Sequence, residues 1–292
     1  MPNEKRICGL MLAYFKSEMT LKCLRTLEHQ GIERLVLVDN SADTQENQRT
    51  LALKQHFPAD WLHIVIAPEN LGFARGMNLA LEQAQQLDKW DYFLILNNDI
   101  TAQPELVACL YKYMQTHTDT ALLGVKATTG NTCEGGLYYQ RLTGLMCKNP
   151  VAGSFQVATG HCLIIRATVI GKYLFNPRYF MYGEDVELTW RLLQQQKNVH
   201  ILPQPLLNHT PSQSSENGSL FYEYHVNRGH RLLVDDIGKN LAEKILMYIL
   251  RFPFMIARAL LRSWRFKSFI PAKALLILFQ DKIIINQSNK NI

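Results

Sequence analysis

A chain of 292 residues is long enough for one large α/β domain or two small ones, and its 47% apolar share allows a full core. Its six cysteines, Cys8, Cys23, Cys109, Cys133, Cys147 and Cys162, contain no Cys-x-x-Cys pair. That argues against zinc and against a disulfide framework, and suits a reducing cytosol. The formal charge of +6 is uneven: residues 241–292 hold nine Lys+Arg and two Asp+Glu, a net of +7, and the remaining 22 and 23 give −1. A near-neutral body with a basic tail points to an anionic partner for the tail, either membrane or nucleic acid.

The N-terminus, Met1-Pro2-Asn3-Glu4-Lys5-Arg6, has no signal-peptide layout and leads into an apolar run over 7–15, expected to be a central strand. Ser17 is placed to cap a helix reaching about Gln30, with Gly31 as its stop. A second strand, 35–39, ends in Asp39, and Ser41 to Gln45 reads as a turn and helix start. Further strands are expected over 61–67 and from 92 towards Asp99, with a helix over 72–87 between them. Ile100 to Pro104 reads as a helix opening, with helix over 106–114 and a strand over 121–125. The Gly-, Thr- and Asn-rich stretch 128–152 breaks the rhythm as a loop or hairpin excursion. Strand over 157–166, helix over 184–196 and a last short strand over 199–202 complete the body. The alternation predicts a mostly parallel, doubly wound α/β sheet in one domain over 1–240, followed by a basic tail over 241–292.

Five clusters carry chemistry. Asp39, in Val38-Asp39-Asn40-Ser41, is placed to accept hydrogen bonds from a nucleotide base or ribose, or else simply to form a turn. In Glu69 to Asn78, Gly72 and Gly76 allow close backbone approach, Arg75 offers a fork of donors, and Asn70 and Asn78 add amides. Asn97-Asn98-Asp99 ends a buried strand, where open α/β sheets bind ligands. Asp99 is suited to a hard divalent cation, Mg²⁺ or Mn²⁺, that neutralises a diphosphate, or to capping a helix. Glu184 and Asp185 open a helix after Gly183, and one well-placed carboxylate suffices as a general base. His209, expected in a polar loop after the last strand, is a candidate second metal ligand.

In this order and spacing, Val38-Asp39-Asn40-Ser41, the Asn70 to Asn78 segment, Leu96-Asn97-Asn98-Asp99 and Phe180-Met-Tyr-Gly-Glu-Asp-Val-Glu-Leu-Thr-Trp-Arg191 resemble glycosyltransferase family 2. The chain is especially similar to the rhamnosyltransferase-like and galactofuranosyltransferase-like branch, over roughly residues 5–235. The resemblance implies a single GT-A-type domain binding a nucleotide-diphospho-sugar, with dTDP or UDP as nucleotide and L-rhamnose as first choice of sugar. It implies direct displacement with inversion. It assigns donor binding to Asp39, Asn70, Arg75, Asn78, Asn97, Asn98 and Asp99, metal binding to Asp99 and His209, and the catalytic base to Asp185. Glu184, Trp190 and Arg191 fall to the acceptor side and to support of the base. Two departures stand out: Asn97 replaces the first Asp of the usual Asp-x-Asp motif, and the first strand ends Leu12-Ala-Tyr14-Phe15 where a Thr-Tyr-Asn-like ending is frequent.

In the tail, Arg251, Arg258, Arg262 and Arg265 recur at helical spacing among apolar residues, and no charge-free run approaches the ~18 residues of a spanning helix. Pro253 is expected to kink the segment. This is the composition of helices that lie on an anionic membrane surface. A helical subdomain packed on the core, or a homodimer contact, is the alternative. The tail is too apolar for nucleic acid, and no recognition module is visible. The expectation is a peripheral protein on the cytoplasmic face of the inner membrane, acting on a glycan or polyprenyl-diphosphate-linked glycan of a bacterial surface polysaccharide (O-antigen, capsule or lipopolysaccharide). The rivals are a sugar nucleotidyltransferase, disfavoured because no Gly-rich loop follows the first strand, and a non-catalytic sugar-nucleotide-binding homologue, disfavoured by the intact Glu184-Asp185 and Asp99. A dehydrogenase would need a Gly-x-Gly-x-x-Gly after a strand, which is absent.

Overall fold

The computed structural model describes residues 6–130, 132–209 and 218–288, with side chains described as far as 280. Strands β1 (Ile7–Ala13), β2 (Arg34–Asp39), β3 (Leu62–Ile66) and β4 (Tyr92–Asn97) are short, mainly apolar runs, almost wholly buried except for the edge strand β3. Burial on both faces is what a parallel sheet demands of its central strands. They run parallel in the order β3-β2-β1-β4. The sheet continues through β11 (Cys162–Arg166), β6 (Thr120–Thr129), β12 (Asn198–His209) and β5 (Ile100–Ala102), with β7 (Thr132–Glu134) alongside β6. Antiparallel pairing enters only with β11, β5 and β7, because β6 and β12 again run parallel. Strands β8 (Tyr138–Gln140), β9 (Met146–Cys147) and β10 (Ser154–Gln156) form a separate small sheet.

Helices α1 (Ser17–Leu27), α2 (Thr44–Ala52), α3 (Gly72–Leu87), α4 (Leu106–Thr116) and α5 (Glu184–Gln194) cover the two faces. Apolar residues recurring every three to four positions on α3 (Met77, Ala80, Leu81, Ala84) pack with Leu10, Val36 and Ile95 on one face. On the other, Leu24 and Leu27 of α1 and Leu106 and Leu110 of α4 pack with Met11, Leu37 and Leu94. Three further helices follow: α6 (Leu220–Ile237), α7 (Leu241–Phe266) and α8 (Ile270–Ser288).

Four expectations are corrected. The run from 92 ends as strand at Asn97, and a turn at Asn98-Asp99 leads into β5 rather than a helix, so Asp99 caps nothing. Residues 157–161 leave the ladder: the Ala158 amide donates to Thr189 Oγ1 (3.3 Å) and the Val157 amide to the Leu137 carbonyl (2.9 Å). The last strand is twelve residues long, and His209 is its final residue, paired with Ile100, not a loop residue. Pro203 and Pro205 lack the N–H that a ladder needs, but register shifts between Leu202 and Leu207 absorb them. Finally, Ser17 does not cap α1: it is the first helical residue, and Lys16 holds the cap position with no side-chain cap bond.

Candidate active site

The carboxyl ends of β1, β2 and β4 meet at one edge of the sheet, where Ala13 pairs with Asp39 and Leu12 with Asn97. A cavity of about 600 Å³ opens there. Its lining includes Asn40, Asn70, Asn97, Asn98, Asp99, Glu184, Asp185 and His209. Segments more than a hundred residues apart are thus brought to one place.

At the end of β2 the turn is locked by amides. Asn40 Nδ2 donates to Asn70 Oδ1 (2.9 Å), and the Leu71 amide donates to Asn40 Oδ1 (2.8 Å). Asp39 lies beneath, fully buried. Its Oδ1 accepts the Ser41 amide (3.0 Å) while Oδ2 has no hydrogen-bond partner. Gly72 has a left-handed φ of +73°, and a Cβ there would stand 2.4 Å from the Phe180 carbonyl oxygen. Only glycine lets α3 start this close to the 180–183 segment, whose Phe180 carbonyl accepts the Phe73 amide (2.6 Å).

His209 pairs with Ile100, the residue after the turn at Asp99, and its Nε2 stands 3.4 Å from Asp99 Oδ1. The Asp99 contact raises the His209 pKa, against burial, with Glu134 adding to the rise from 3.7 Å away. His161 stacks on His209 at 5.9 Å between centroids, and its Nε2 lies 2.9 Å from the Val125 carbonyl oxygen. Burial lowers the His161 pKa. A buried carboxylate beside a half-buried imidazole fits a divalent cation completed by diphosphate oxygens and water. The mixed oxygen–nitrogen pair suits Mn²⁺ better than Mg²⁺. Among the described residues no cluster of three or more His, Cys, Asp or Glu ligands forms a self-sufficient metal cage.

Across the cavity, α5 opens on Glu184 and Asp185 after the left-handed Gly183. Burial raises the pKa of both, and for Glu184 the adjacent Asp185 charge raises it further. Asp185 is partly relieved by the backbone amides of Val186 (2.8 Å) and Gly160. A carboxylate desolvated yet held by amides is set up to accept a proton.

The remaining predicted residues stand outside the cavity lining. Arg75 is exposed and lies 3.7 Å from Glu69. Asn78 and Arg191 clasp one segment: Asn78 Nδ2 donates to the Phe175 carbonyl (2.7 Å), and Arg191 Nη2 to the Leu174 carbonyl (2.7 Å). Arg191 also pairs with Glu187 (3.0 Å). Trp190 packs on Phe155 and under the Arg141 guanidinium. Asn98, though in the lining, turns its Nδ2 to Thr20 Oγ1 (3.0 Å). The sequence reading missed the aromatic wall formed by Phe73, Phe180, Tyr182, Phe221 and Tyr222. The run Leu220-Phe-Tyr-Glu-Tyr-His225 was its signal. Helix α6 holds this wall against α5, since a Cβ at Gly229 would stand 2.4 Å from the Tyr182 carbonyl oxygen.

Sheet order, cavity and carboxylates define a nucleotide-sugar-type α/β transferase architecture, and the family model described as Glycosyl transferase family 2 matches residues 10–174. The chain belongs to glycosyltransferase family 2 and is a glycosyltransferase. No curated protein matches it in sequence. Solved structures share its GT-A-like fold at low identity. Residues 1–349 of S. aureus TarS align at 17% identity with a TM-score of 0.57, covering 84% of this chain and 69% of that one. The mannosyltransferase PcManGT from Pyrobaculum calidifontis, solved with GDP-Man and Mn²⁺, aligns at 13% identity and TM-score 0.59, covering 99% and 81%. GalNAc-T7, solved with UDP, GalNAc and Mn²⁺, aligns at 14% identity and TM-score 0.57, covering 78% and 48%.

Proposed function

We propose that this glycosyltransferase moves a sugar, L-rhamnose in the first instance, from a dTDP- or UDP-sugar to a hydroxyl of a growing bacterial surface polysaccharide, with inversion. The acceptor is a polyprenyl-diphosphate-linked glycan at the cytoplasmic face of the inner membrane. The observation that carries the transfer reading is the facing of Asp99 and His209 against Glu184 and Asp185 across one cavity. GDP-Man and Mn²⁺ in PcManGT, and UDP, GalNAc and Mn²⁺ in GalNAc-T7, support the donor class. The rhamnose assignment rests on the motif resemblance alone.

In this reading Asn40 and Asn70 hold the turn against which the nucleotide lies. Asp99 and His209 hold a divalent cation, which when bound offsets the charge of the departing diphosphate. Asp185 takes the proton from the acceptor hydroxyl as its oxygen attacks the anomeric carbon and the bond to the diphosphate breaks. Glu184, pushed towards its neutral form by burial and by Asp185, leaves the negative charge on its neighbour. Asn78 and Arg191 act at one remove by fixing the 174–175 segment that leads to the base.

Calorimetric titration with dTDP and with UDP, each with and without Mn²⁺, on wild type and Asp99→Asn tests the reading. Metal-dependent binding of one nucleotide, weakened in the variant, is expected. Binding of neither by a folded sample would overturn it.

A further inference from the structure

Helix α7 is amphipathic the wrong way round. Arg251, Arg258 and Arg262 share a side, as their spacing requires, but that side faces the protein. Arg251 is 2% exposed and donates to the carbonyls of Leu142, His230 and Arg141 (3.2, 2.9 and 2.6 Å). Arg258 and Arg262 both bind Glu223 of α6, which is fully buried, at 2.8 and 2.6 Å. Three of the tail's cations are therefore neutralised or enclosed, while Arg265, Lys267 and Lys273 stay exposed.

The opposite side is apolar from end to end. Leu241, Ile245, Ile249, Phe252, Leu260 and Trp264 mark it, and Arg265 is its only charged outward-facing residue. At 26 residues the helix is about 39 Å long. Even the buried cores of homodimer interfaces are only about 65% apolar. So complete a stripe is better matched by hydrocarbon than by a second protein surface. No helix among the described residues is long and apolar enough to cross a membrane, which leaves an in-plane seat.

Position selects the occupant further. Trp264 and Phe269, at 82% and 88% exposed, sit at the end of α7 that reaches the cavity. The Arg262 guanidinium lies 5.1 Å from the ring of Tyr222, which lines the cavity, and 4.9 Å from the ring of Phe266. Exposed Arg265 and Lys267 flank Trp264 at this same end, the aromatic-and-cation pairing that settles at a headgroup boundary.

We propose that the outward face of α7 is a bilayer-seating surface that works through apolar insertion, not through attraction to anionic lipid, and that it sets the cavity mouth beside the bilayer. This rests on the lipid-linked acceptor reading above and deepens it: the same helix that enters the lipid holds, through Arg262 and Glu223, the Phe221–Tyr222 wall of the cavity.

The test is vesicle flotation of the full-length protein. Vesicles are neutral phosphatidylcholine, with and without an added anionic phospholipid, at low salt and at ~1 M salt, where charge screening is nearly complete. Binding to neutral vesicles within about twofold of that to anionic ones, and unaffected by salt, is expected. The double variant Leu260→Glu, Trp264→Glu should lose about tenfold or more of it, while nucleotide titration of the same sample stays unchanged. Flotation on anionic vesicles only, abolished by salt, would overturn the proposal. So would failure to float on any vesicle, or a solution dimer that the double variant dissociates. Loss of nucleotide binding in wild type would instead overturn the transferase reading and leave the flotation result standing.

Discussion

Two regions of this molecule bury carboxylates, and they treat them in opposite ways. Where α6 meets α7, Glu223 is answered by two arginines, each within hydrogen-bond distance. In the cavity, Glu184 and Asp185 lie side by side with no ion pair among the described residues, and beneath it one oxygen of the buried Asp39 has no hydrogen-bond partner. The first arrangement is complete within the fold and holds two helices together. The second is incomplete, and leaving it so costs stability that a structural site would not forgo. The contrast supports the proposal that charge and protons in the cavity are supplied by something that binds.

The contrast can be broken or sharpened experimentally. Asp185→Asn should lower the transfer rate about 10³–10⁴-fold with little change in nucleotide affinity or melting temperature, since a general base contributes on that scale. Single-turnover kinetics beside calorimetry reads both; an unfolded variant would mean that Asp185 is structural after all. Glu223→Gln should cost about 3–5 kcal/mol in a urea unfolding curve, because two half-buried guanidinium groups lose their buried counter-charge. Asp99→Asn should weaken Mn²⁺-dependent nucleotide binding about tenfold or more and leave metal-free binding alone.

The smallest effect concerns pH. Burial raises the Glu184 pKa in the folded protein above its unfolded value. Between the two values the native state holds more protons, so this group's contribution to stability falls as pH rises through that window. Glu184→Gln should therefore raise the melting temperature at pH 8 by more than at pH 5. Equal shifts at both would show that the folded and unfolded pKa values agree. On the acid side, burial beside Arg251 and Arg258 lowers the His230 pKa to about 3. Stability should accordingly drop as pH falls below the ordinary imidazole range, where the unfolded chain alone takes up the proton.

Much of the catalytic half was legible in the sequence because its signals are local. The apolar runs of β1, β2 and β4 end abruptly in Asp39 and Asn97-Asn98-Asp99, and the boundaries of α3 follow from Gly72 and the period of its alanines. Where pairing partners are distant, the pattern failed. The prolines of β12 looked like a strand end, yet a ladder that tolerates register shifts carries on past them. The aromatic wall was missed because Phe73, Phe180 and Tyr222 meet only through tertiary packing. For the tail the sequence pattern stops short for a sharper reason. A 3.6-residue period tells which residues share a face, never which face looks inward. Arginines are usually placed outward, and here a single buried glutamate reverses the helix.

The register at the end of β12 has a consequence for how this chain can vary. His209 reaches Asp99 because Leu207, Asn208 and His209 pair one for one with Ala102, Thr101 and Ile100. That ladder is a ruler with marks about 3.3 Å apart, and alternate marks point to opposite faces of the sheet. One residue added or lost within 207–209 would turn the imidazole away from the carboxylate entirely. The same change within 203–206 falls where the register already slips, and can be taken up there. Length variation among relatives should thus collect just upstream of the histidine and stop short of it.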